Sequence, residues 1–72
     1  MTEIVFQVEE DEVGGGWVAR ALGENITTQA DTIDELKTMI RDALQCHFEN
    51  ENDIPPAIQL HFVRDEVISF AV

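Results

Sequence analysis

Only one cysteine occurs among the 72 residues, Cys46, so no disulfide can form within the chain. With two histidines beside it, the supply of ligands for a structural zinc site is poor. Cations are also scarce: four Lys and Arg stand against fifteen Asp and Glu, a net charge of -11. DNA, RNA and anionic membrane surfaces call for a basic footprint, and four cations cannot make one. No apolar run approaches the length of a membrane span. The start, Met1-Thr2-Glu3-Ile4, has neither the basic region nor the apolar stretch of a secretion signal, so a cytoplasmic protein is expected.

What is present argues for a fold. Hydrophobic residues make up 44% of the chain, too many for a disordered segment. A chain this short builds one domain, residues 1–72, and its core supplies about 3–5 kcal/mol of net stability unless something else helps. With disulfides and metal removed from consideration, oligomerisation is the favoured helper. The acidity would attract and steer a basic protein partner.

Ile4, Phe6 and Val8 alternate with Val5, Gln7 and Glu9, the period of a half-buried strand. Four acids follow, Glu9, Glu10, Asp11 and Glu12, and then Gly14-Gly15-Gly16, which lets the chain reverse. Trp17 to Leu22 forms the second arm of a β-hairpin. After a turn at Gly23-Glu24-Asn25, Ile26 to Ala30 reads as a third strand. Thr32-Ile33-Asp34-Glu35 fits a capping box, with the Thr32 hydroxyl and the Glu35 carboxylate each satisfying an amide of the other. Ile33, Leu36, Ile40, Ala43, Leu44 and His47 recur at helical spacing and share a face, so the helix should run from Ile33 to Phe48 or Glu49.

A loop closed by Pro55 and Pro56 leads to a fourth strand in which Ile58, Leu60 and Phe62 alternate with Gln59, His61 and Val63. Beyond Arg64-Asp65-Glu66, the segment Val67 to Val72 is expected to be the return arm of a hairpin. The alternative is a continuation of the same strand past a bulge.

The order β-β-β-α-β(-β) is an α+β fold with one helix packed on a small mixed sheet. The helix doubles as the crossover to a fourth strand parallel to the first, giving sheet order 3-2-1-4, a truncated ribonuclease H-like topology. One helix covers one face. Val5, Val18, Leu22 and Val63 then point to a second face with nothing in the chain to cover it. Val5, Val18 and Val63, with Ile68 and Phe70 of the last segment, are therefore the expected interface of a homodimer or tetramer. Glu9 to Glu12, with Trp17, are the expected docking residues for another protein; the alternatives are a solvated turn for the four acids and core packing beside the helix for Trp17.

Taken in order, Gly15-Gly16-Trp17-Val18-Ala19, Thr28-Gln29-Ala30-Asp31-Thr32-Ile33-Asp34-Glu35-Leu36 and Leu60-His61-Phe62-Val63-Arg64-Asp65-Glu66-Val67 resemble the HicB antitoxin family over nearly the whole chain. That family shows a Gly-aromatic-Val-Ala hairpin and a Thr-x-Gly-Asp-Thr-x-Glu-Glu-Ala helix start. Two departures stand out. Leu22-Gly23-Glu24-Asn25 replaces a frequent Pro-Gly-Cys, and Ala30 stands where glycine is common. The resemblance implies neutralisation of a small basic RNA-cleaving toxin by binding. Full-length antitoxins of the family also carry a C-terminal DNA-binding domain. This chain ends at Val72 without one, so operator binding is not expected. The alternative is a stand-alone homo-oligomer with no toxin partner.

Catalysis finds little to stand on. The middle of the first strand is Ile4-Val5-Phe6, not the carboxylates that a two-metal nuclease needs. Serine elbow, phosphate loop and paired-cysteine motifs are missing. Glu9 to Glu12 lack the alternating acids of a calcium loop, and Cys46 and His47 diverge on the helix. No catalytic residue, metal or cofactor is expected.

Overall fold

The computed structural model describes residues 2–71. Strand β1 runs Glu3–Glu10, β2 Trp17–Ala21 and β3 Thr27–Ala30. Helix α1 follows at Ile33–His47, then a single 3-10 turn at Glu51–Asp53 and strand β4 at Ala57–Phe62. The sheet order is β3-β2-β1-β4, with β1 antiparallel to β2 and parallel to β4, the α+β arrangement expected from the sequence. No helix among the described residues is long and apolar enough to cross a membrane.

Strand alternation decides the core. Ile4, Phe6 and Val8 of β1 are buried, as are Ala19 and Ala21 of β2. They meet Leu36, Ile40 and Leu44, which lie four residues apart on one stripe of α1. Small alanines on β2 let the helix sit close, and the large Phe6 fills the space beneath it.

Two local devices hold this frame. In the β1–β2 connection the Asp11 carboxylate accepts from the amides of Val13 and Gly14, each at 3.1 Å. Its carbonyl accepts from Gly15, and its amide donates to Gly16. Gly15 and Gly16 take positive φ, at 75° and 81°. A Cβ at Gly16 would also stand 2.5 Å from the Ala30 carbonyl oxygen, so this glycine is required twice over. At the helix start, Thr32 Oγ1 accepts from the Glu35 amide at 3.1 Å. Only this forward half of the capping box forms among the described residues. Helix α1 stops at His47, where the Phe48 amide turns back to the Leu44 carbonyl from an extended conformation.

Three expectations need correcting. The helix does not cover its whole side of the sheet. It packs on β3 and β2, while Ile58 and Phe62 of β4, on the same side, stay exposed. A helix is about 10 Å wide and strands stand about 4.8 Å apart, so one helix cannot roof four strands. His47 is not in the apolar stripe. It is exposed, with Nε2 3.1 Å from Glu24 Oε2, linking the end of α1 to the β2–β3 turn.

The third correction concerns residues 63–71, which form neither a hairpin arm nor a bulged extension. They include no strand, turn or bend. The Val63 amide still donates to the Val8 carbonyl, and pairing with β1 ends there. Arg64-Asp65-Glu66 lacks the glycine that usually completes a two-residue hairpin turn, and the chain runs straight on.

Candidate interaction surfaces

Register sorts the open face of the sheet, the one away from α1, into rows. Val5 stands beside Gln59, and the Leu22 amide donates to the Val5 carbonyl. The next row is polar: Arg20, Gln7 and His61 are direct neighbours. Glu9 follows beside Val18, with Val63 just beyond the Val8–Phe62 pair. The expected interface residues Val5, Val18 and Val63 therefore share a face but not a patch, because a polar row divides them. All three are half-buried. Gln7 Nε2 donates to Glu9 Oε1 at 2.6 Å along the same face, making it more polar still.

The acidic run is split between the two sides. Glu9 points to the open face and Glu10 stands opposite Trp17 on the helix side. Asp11 is engaged in its own turn. All four acids nonetheless border one open groove of about 510 Å³ at the hairpin end of the sheet, together with Val18, Arg20, Val63, Arg64 and Asp65. Five carboxylates line it against two guanidiniums. Trp17 packs on the core and meets Phe62 edge to face, with ring centroids 6.2 Å apart. Its indole thus supports the sheet more than it offers a contact.

A second groove, of about 260 Å³, lies between α1 and β4 and is lined by Lys37, Ile40, Arg41, Ile58 and Leu60. Two of the chain's four cations border it and no carboxylate does. Its apolar floor was missed by sequence reasoning, because helix width, not residue pattern, leaves β4 uncovered. A third hollow, of about 630 Å³, is bordered by Asp11, Asp31 and Glu35 near the start of α1, a setting that repels anions. Cys46, His47 and His61 are exposed, and no group of three metal-ligating side chains comes together among the described residues.

The largest apolar exposure is in the tail. Val67, Ile68 and Phe70 are 94%, 82% and 90% exposed. The expected interface residues Ile68 and Phe70 thus lie on a segment that pairs with no strand among the described residues.

A protein of Thermotoga maritima named as a UPF0150 protein is 40% identical over 67 residues, covering 93% of this chain and 91% of its own. This chain belongs to the UPF0150 family. An Archaeoglobus fulgidus UPF0150 protein is 52% identical over 46 residues, 64% of this chain and 67% of that one. No family model matches the chain, and no solved structure matches it significantly. The match to the Thermotoga UPF0150 protein leaves out about five residues of this chain, so α1 and β4 fall within the shared region.

Proposed function

We propose that this UPF0150 member is a non-catalytic protein-binding domain of the HicB antitoxin type, working in the cytoplasm, that captures a small basic RNA-cleaving protein. The observation that carries the reading is the groove at the hairpin end, where Glu9, Glu10, Asp11, Glu12 and Asp65 outnumber Arg20 and Arg64 in a chain of net charge -11. Such a surface steers a basic partner and adds charge-assisted hydrogen bonds on contact. The rows on the open face supply apolar contacts from Val18 and Val63 beside the charges. An enzyme is disfavoured because the grooves hold no nucleophile paired with a base and no converging ligand set.

The test is co-purification followed by assay. A small basic protein recovered from source cells on the tagged chain should cleave RNA when freed and lose that activity on adding the chain in equal amount. Glu9→Gln, Glu10→Gln and Glu12→Gln together should weaken the complex at least tenfold at low salt, with Asp11 left in place because it holds the turn. Failure to inhibit any captured ribonuclease, or indifference to the three substitutions, would remove the toxin-binding role.

A second reading, self-association without a toxin, is favoured by a separate observation. The tail and the helix side of β4 leave Ile58, Phe62, Val67, Ile68 and Phe70 in water, apolar surface that a second copy would cover.

A further inference from the structure

Strand β4 is at the edge of the sheet, with β1 on one side and no strand on the other among the described residues. The same chain carries, a few residues on, a straight β-prone segment with no partner. An open edge and an unpaired apolar strand are complementary. Within one chain they do not meet, because residues 64–66 form no turn. They can meet between two.

We propose that two copies exchange tails: residues 57–71 of each chain form one long strand, whose residues 59–71 pair antiparallel with the same span of the partner about a two-fold axis at Asp65. This deepens the self-association reading and depends on it. The register follows from the side chains. With Asp65 on the axis, Leu60 stands opposite the partner's Phe70, and Phe62 opposite the partner's Ile68. Arg64 stands opposite the partner's Glu66, and symmetry makes each pair occur twice. On the other face Val63 meets the partner's Val67, and His61 the partner's Ser69. Even-numbered residues of β4 lie on the helix side, where Ile58, Leu60 and Phe62 neighbour Ile4, Phe6 and Val8. Ile68 and Phe70 therefore arrive on the side where β4 is bare, and Phe70 comes to the groove bordered by Lys37 and Arg41, where cations can lie on its ring.

Neighbouring registers are worse. Sliding by two residues one way puts Phe62 against Glu66 and Arg64 against itself. Sliding the other way puts Arg64 against Ile68. A slip of one residue turns the second copy over and sends Ile68 and Phe70 to the polar face. The cost of the favoured register is one like-charge pair, Asp65 against Asp65, on the open side. Because the contact is the same patch on both copies, it closes at two and yields a continuous eight-stranded sheet instead of a fibre.

Light scattering on the full chain should give twice its 8.1 kDa. Ending the chain after Glu66 should give a monomer with an unchanged far-UV spectrum, since the deleted residues make no strand in the single chain. With Cys46→Ser, introducing Asp65→Cys should yield a disulfide-linked dimer in air, because opposed residues in an antiparallel pair fall within the 4.4–6.8 Å that a disulfide spans. Ser69→Cys in the same background should cross-link at least tenfold more slowly. Asp65→Asn should tighten the dimer about two- to five-fold by removing the opposed charges. A truncated chain that stays dimeric, or equal cross-linking at positions 65 and 69, would overturn tail exchange while leaving self-association through another surface. A full-length monomer would overturn both, and would leave toxin capture untouched.

Discussion

Gly16 and Gly15 are adjacent, share positive φ and differ in their surroundings. At Gly15 nothing lies within 4 Å of an added Cβ, whereas at Gly16 the Ala30 carbonyl oxygen is 2.5 Å away. Gly15→Ala should therefore cost about 1–2 kcal/mol, the conformational penalty alone. Gly16→Ala should cost at least about 1 kcal/mol more, because β3 must also move. Urea melts of the two variants, compared at equal protein concentration, measure the difference. Thr32→Ala removes the helix cap and should lower stability by about 0.5–2 kcal/mol in the same assay. That capping residue was legible in the sequence, since Thr followed three positions later by Glu is a local signal. The pairing of His47 with Glu24 was not. It joins residues 23 positions apart, and the spacing that put His47 on the apolar stripe carries no information about the turn beside it.

Elements were legible where their own periodicity specifies them. The alternation of β1, the stripe of α1 and the crossover order all came through, because burial imposes period 2 on a strand and 3.6 on a helix. Leu36, fully buried beneath α1, carries much of that packing. Leu36→Ala should cost about 2–5 kcal/mol, comparable to the whole stability of a domain this small. Circular dichroism at low micromolar concentration should find most of that variant unfolded. The tail escaped the same reasoning. Val67 to Phe70 has the composition of a strand, but a strand also needs an edge to pair with, and which edge is reachable depends on the turn before it. The acidic run shows a related limit: four consecutive residues at a strand end point in different directions, so Glu9 to Glu12 divide between two sides and a turn while still bordering one groove.

At the scale of the molecule, shape and charge are both unusual. The radius of gyration is 14.7 Å, against about 11 Å for a compact chain of this length. The longest dimension is 58 Å, against 22 and 19 Å for the others. The projecting tail accounts for the excess. Self-repulsion among fifteen carboxylates opposes compactness, and added salt screens it. Raising sodium chloride from about 20 to about 500 mM, where the Debye length shrinks severalfold, should raise the urea midpoint. A falling midpoint would mean that attractive pairs, not repulsion, dominate the surface. The position of β1 has a kinetic consequence as well. This central strand is made well before its parallel partner: Glu3 pairs with Ala57 and Val8 with Phe62, each 54 positions along. The hairpin can zip locally within microseconds, but sealing β4 must wait for a loop of most of the chain to close, so that step sets the folding rate. Until it closes, β1 is itself a naked edge, and a newly made chain is briefly open to the wrong strand on the side where β4 belongs.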